Sequence, residues 1–186
     1  TTAVNLAAAL SKGSKKQNLP PAKVLLIDLD PQGNCATSFG VEKKKVKRTA
    51  YDLLTNDTGE ELPLMDEYLI SPQTLTDSMQ DAWSMRNGGK AAPDNLKVDN
   101  LWLLPSDIHL SGAEIELSHK IGRETRLREA LAPIIDNFDY IIIDTPPSLG
   151  LLSINAMCAA NWVMVPVQAE YYALEGFSML MNSIKM

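Results

Sequence analysis

KVLLIDLDPQGN, residues 23–34, is the stretch on which the fold turns. Its consecutive apolar residues Val24, Leu25, Leu26 and Ile27 read as a strand covered on both faces, as in a parallel sheet. The strand is expected over 23–29, with Asp28 and Asp30 at its carboxyl end. Pro31 removes a backbone donor and closes the ladder. Ligands of open α/β sheets sit just past the carboxyl ends of strands. Two carboxylates at that edge can hold a metal ion or orient a water; equally, Asp and Pro there can do no more than end the strand.

Working outward, helices and strands alternate. Upstream, TTAVNLAAAL (1–10) is a helix in which Val4, Leu6, Ala7 and Leu10 share a buried side, with Thr1 and Thr2 as hydroxyl caps. Downstream, 32–40 is a turn opening a short helix, and 49–54 is a second short helix with Tyr51 and Leu54 on one face. LWLL (101–104) is a short buried strand ended by Pro105 and Ser106. A long helical region follows over 111–137, with Glu114, Leu117, Ile121, Leu127, Leu131 and Ile134 as landmarks and Gly122 and Pro133 as places to break or bend. The second diagnostic strand is 139–144. Its β-branched Ile141, Ile142 and Ile143 suit a central position, Asp144 stands at its end, and Thr145, Pro146 and Pro147 turn the chain away. A helix over 151–160, with Cys158 as a small core residue, a buried strand WVMVPV (162–167) and an amphipathic helix over 174–184 complete the series. The expected class is α/β: a mostly parallel sheet with helices on both faces.

Two stretches fall outside this alternation. From about 56 to 100, Pro63, Pro72, Pro93 and the Asn87-Gly88-Gly89 turn predict a loop-rich insertion, with a short helix within 62–70 and a mobile loop at 87–95. Trp83 and Met85 read as either core or interface. EKKKVKR (42–48) is the dense basic run; it reads as a solvated face, with a phosphate-backbone or partner contact as the alternative.

Composition sets the outer limits. The chain has 186 residues, 45% hydrophobic, enough for one domain with a sizeable core. A net charge of −6 excludes a wholly basic nucleic-acid binder but allows a local basic patch. With only Cys35 and Cys158 and no secretory signal, a reducing, cytoplasmic setting is expected. No apolar run approaches the ~18–20 residues of a membrane span. His109 and His119 have no partner ligands at metal-binding spacing and read as surface or satisfied residues. Both ends read as cut: the chain opens on Thr1 inside a helical pattern and stops at Met186 inside another.

The segments TTAVNLAAAL, LLIDLDPQGNCATSFG, YIIIDTPPSLGLLSINA and VPVQAEYYALEG together resemble the ParA/Soj family of partition ATPases, which carry a deviant Walker A motif. The likeness covers most of the chain and weakens between about 43 and 100. It implies a P-loop NTPase-like fold, here a single incomplete domain over 1–186 that lacks the phosphate loop, the strand before it and the C-terminal part. It implies ATP and Mg²⁺ as cofactors. Asp30 matches the acidic residue that positions or activates the attacking water, so it is the implied catalytic residue. Asp28 matches a neighbouring acidic position near Mg²⁺, and Asp144 matches the Walker B aspartate that acts on Mg²⁺ through water. Pro31, Gln32, Gly33 and Asn34 match the turn that responds to the γ-phosphate. Thr1 and Thr2 match the end of the phosphate-loop motif. In a KTTTAVNL register Thr1 is its second threonine; in a KTTAVNL register Thr1 is the Mg²⁺ ligand. Glu170, Tyr171 and Tyr172 match a motif near the nucleotide-dependent dimer face.

The implied parent is a Mg²⁺-dependent ATPase that dimerises with ATP and segregates DNA, at the nucleoid in the cytoplasm and without a membrane. Its implied partners are a ParB-like DNA-binding protein and non-specific DNA, the latter through the C-terminal region. The residues present are expected to bind ATP poorly. The alternatives are another deviant Walker ATPase, MinD-like or cargo-positioning, and a non-catalytic dimerisation or binding module.

Overall fold

The computed structural model describes residues 1–56 and 67–167. Three strands form a parallel sheet in the order β2-β1-β3: β1 (Val24–Asp28), β2 (Leu101–Leu104) and β3 (Tyr140–Asp144). Val24 stands opposite Leu101 on one side and Tyr140 on the other, and the ladder with β3 runs on to Asp28 opposite Asp144. With a neighbour on each side and helices on each face, β1 is buried at all five of its positions. That is why its sequence is an unbroken apolar run instead of an alternating one.

Seven helices are described: α1 (Thr2–Lys12), α2 (Asn34–Ser38), α3 (Ala50–Thr55), α4 (Pro72–Arg86), α5 (Leu110–Leu117), α6 (Arg126–Leu131) and α7 (Leu151–Ala159). The period-2 alternation of β1 separates two cores. Val24 and Leu26 join Ala7 of α1, Cys35, Ala36 and Phe39 of the α2 region, and Leu75 of α4. Leu25 and Ile27 join Leu53 and Leu54 of α3, Leu110 and Leu117 of α5, Leu127 of α6 and Leu152 of α7. Each fully buried leucine contributes about 2 kcal/mol of transfer free energy.

Several expectations are corrected. Residues 162–167 form no strand and have no ladder partner among the described residues; Trp162 is 92% exposed. Strand propensity alone does not hold a strand whose backbone groups are unpaired. The stretch read as loop-rich contains α4, at 15 residues the longest described helix. Pro72 opens it instead of breaking it: Ser71 is the N-cap, its hydroxyl accepting the Thr74 N–H at 3.3 Å. Trp83 and Met85 on α4 are exposed, which removes the core alternative and leaves the interface one. The region 111–137 is divided near Gly122, whose φ is +72°, as expected, but Ile121 is fully exposed there instead of packing. Thr1 is the N-cap of α1 but makes no side-chain capping bond. Residues 62–66, Glu170, Tyr171, Tyr172 and the helix expected over 174–184 lie outside the described residues.

Candidate functional site

The carboxyl rim of the sheet gathers the acidic residues. Asp28 and Asp144 end adjacent parallel strands as register partners. The Leu29 N–H donates to the Asp144 carbonyl at 2.8 Å, carrying the ladder one residue further. The helix after the next turn then binds both side chains through a single residue. The Cys35 N–H donates to Asp28 Oδ2 at 3.0 Å, and the Cys35 thiol donates to Asp144 Oδ2 at 3.4 Å. One ligand atom from each of Asp28, Cys35 and Asp144 lies within 4.8 Å of the others.

Burial governs the charges here. Asp28 is fully buried, which raises its pKa above the ordinary carboxylate range; bonds from the Cys35 and Asp30 N–H groups oppose that rise, and the charge of Asp144 adds to it. Burial, then the two neighbouring carboxylates, push the Cys35 thiol far up, so it stays protonated and acts as a donor. Two hard carboxylate groups suit a small divalent cation such as Mg²⁺. The protonated thiol serves them as a hydrogen-bond donor.

Asp30 stands apart from that cluster, partly exposed on the turn that follows β1. Its N–H donates to Asp28 Oδ1 at 3.0 Å, and its own Oδ1 accepts the Gln32 N–H at 2.9 Å. The Asp30 carbonyl accepts the Gly33 N–H at 2.9 Å and closes the turn. Gly33, the N-cap of α2, has φ +61°, a conformation that glycine adopts without a Cβ penalty. Pro31 is partly exposed, Gln32 and Asn34 are exposed, and Asn34 begins α2.

Thr1 and Thr2 open α1, whose Ala7 packs with Val24 and Leu26 of β1. The Ala22 N–H bonds to the Leu10 carbonyl, so the C-terminal end of α1 is tied to the chain entering β1. Both threonines are exposed, and among the described residues neither is hydrogen-bonded to Asp28, Asp30 or Asp144.

Three contacts at this rim were not anticipated from the sequence: Cys35 with both aspartates, Ser106 with the Asp30 carbonyl at 2.7 Å, and Lys43 with the Gln32 carbonyl. Two further cations of the basic run are engaged locally. Lys45 pairs with Glu42 at 2.9 Å, and Arg48 lies 3.7 Å from Asp52 and over the Tyr68 ring. Among the described residues no helix is long and apolar enough to cross a membrane.

Comparison with known proteins gives this geometry a family. A family profile described as an AAA domain matches residues 1–186. The sporulation initiation inhibitor protein Soj of Bacillus subtilis is 42% identical over 186 residues, which are 100% of this chain and 59% of that protein. The chromosome partitioning protein ParA of Myxococcus xanthus is 39% identical over 184 residues, covering 99% of this chain and 52% of that protein. The chain thus spans between half and three fifths of the length of these relatives. Among solved structures, cobyrinic acid a,c-diamide synthase from Mycobacterium smegmatis with bound ADP and magnesium superposes with a TM-score of 0.70 at 33% identity, covering 99% of this chain and 60% of that one. A plasmid partition protein from Borrelia burgdorferi bound to AMPPNP gives 0.64 at 26% identity, covering 99% and 63%. Parallel sheet, acidic rim and these relatives agree: the chain belongs to the AAA domain family, has a P-loop NTPase-like α/β fold, and is similar in sequence to the ParA and Soj proteins.

Proposed function

We propose that the protein containing this chain binds ATP with Mg²⁺, pairs into a dimer upon it, hydrolyses it, and so moves or segregates DNA. Residues 1–186 belong to one P-loop NTPase-like domain, and the partners are a ParB-like DNA-binding protein and non-specific DNA. The observation that carries this reading is the register pairing of Asp28 with Asp144 at the carboxyl rim, with Asp30 on the turn two residues beyond.

A bound Mg²⁺ supplies positive charge against the phosphate oxygens. The role of this chain is positional. Asp144 would hold the ion's charge at the rim, and Asp28 would add a second carboxylate beside it. Thr1 and Thr2 offer hydroxyl groups at the opening of α1, Thr1 as the candidate metal ligand, where helix N–H groups favour anions. Asp30 orients the attacking water from its exposed turn. Pro31, Gln32, Gly33 and Asn34 carry that turn and meet the terminal phosphate.

The test is Asp30→Ala in the intact protein. Turnover is expected to fall to background while nucleotide affinity stays within about twofold. Turnover equal to wild type removes Asp30 from this role.

A further inference from the structure

We propose that Ser106 is a positioning residue for hydrolysis: it seats the turn that carries Asp30 on the end of β2. The inference rests on the ATPase reading above and adds a residue to it. Ser106 follows Pro105 immediately beyond β2, on the same rim as Asp28, and is 3% exposed. Its hydroxyl donates to the Asp30 carbonyl at 2.7 Å. That carbonyl also accepts the Gly33 N–H, so one oxygen both closes the turn and docks it. The second contact lies at the other end of the turn. A Cβ on Gly33 would sit 2.7 Å from the Ser106 carbonyl oxygen, so the turn rests directly on the Ser106 backbone.

These contacts fix where the backbone of Asp30 lies. Its N–H is held by Asp28 Oδ1 and its carbonyl by Ser106 and Gly33, while its carboxylate still faces partly outward. Ser106 makes no hydrogen bond to any of the rim carboxylates, so it acts through the placement of Asp30. Removing the hydroxyl leaves the Gly33 bond and the Gly33 contact with the Ser106 backbone, so the turn keeps its shape but loses its anchor at the Asp30 carbonyl. A group that orients a water is sensitive to such a shift, because a misplacement of about 1 Å can cost on the order of a hundredfold in rate. Binding of the nucleotide as a whole draws on many other contacts and is affected less.

The experiment compares Ser106→Ala, Ser106→Thr and a control, Thr76→Ala, in the intact protein. Thr76 is similarly buried, and its hydroxyl bonds to the backbone of Val98, away from the acidic rim. The readouts are kcat, KM for ATP, affinity for a fluorescent ATP analogue, and the thermal unfolding midpoint. Ser106→Ala is expected to lower kcat about tenfold with KM and affinity within about twofold, and Ser106→Thr to recover most of the rate. Thr76→Ala is expected to lower the midpoint and leave kcat within about twofold. An unchanged kcat in Ser106→Ala overturns the inference. So does an equal loss in Thr76→Ala, an equal loss in Ser106→Thr, or a Ser106→Ala protein that no longer unfolds cooperatively. Wild-type protein that neither binds nor hydrolyses ATP refutes the ATPase reading itself, and the inference with it; wild-type turnover matched by Ser106→Ala refutes the inference alone.

Discussion

Replacing Gly33 by alanine tests how tightly the Asp30 turn is packed against β2. Two effects add. Gly33 has φ +61°, where a Cβ costs about 1–2 kcal/mol. The added Cβ would also lie 2.7 Å from the Ser106 carbonyl oxygen, a backbone atom that a side-chain rotation cannot move aside. Relieving such an overlap costs about 1–3 kcal/mol. The sum is about 2–5 kcal/mol of lost stability. Gly88 supplies the control: its φ is +64°, but nothing lies within 4 Å of an added Cβ. Gly88→Ala should therefore lose only the conformational part, about 1–2 kcal/mol. Urea unfolding of the two variants, analysed at equal slope, gives the difference directly. A Gly33→Ala loss no larger than that of Gly88→Ala would refute the close seating of the turn.

Two further outcomes follow from the packing. Asn155 on α7 is fully buried; its Oδ1 accepts the Leu127 N–H at 3.2 Å, and its Nδ2 donates to the carbonyls of Arg123 at 2.7 Å and Leu151 at 3.0 Å. Asn155→Ala strands these groups and should destabilise by about 2–4 kcal/mol, with amide exchange at Leu127 accelerated; wild-type exchange there would contradict the assignment. Leu26 is buried on the α1 side of the sheet, so Leu26→Ala should lose about 2–5 kcal/mol by thermal or urea unfolding, whereas Leu19→Ala, at a residue 54% exposed, should stay within about 0.5 kcal/mol.

The three strands were legible because each is a dense apolar run cut off by Asp or Pro, and because both faces of β1 are covered, which shows in the sequence as the absence of alternation. The sequence hides α4 because Pro72 suggests a break, although proline is favoured at the first helical position. The run 162–167 has the composition of a strand, but composition does not supply a neighbour. At the rim, the acidic ends of two strands could be read directly, since strand ends of a parallel sheet share an edge. The Ser106 contact could not. It joins residues 76 apart in sequence, and it depends on how closely one loop approaches another. Cys35 was hidden for a related reason: both of its polar atoms act, but as a sequence letter it is a small apolar residue opening a short helix.

That residue has a mechanical consequence. Through its amide Cys35 grips the acid of the central strand, and through its sulfur it grips the acid of the neighbouring one. The helix it belongs to begins directly after the turn bearing Asp30. Any rotation of that short helix must pull on both carboxylates together, so the two strand ends and the turn respond as one linked part.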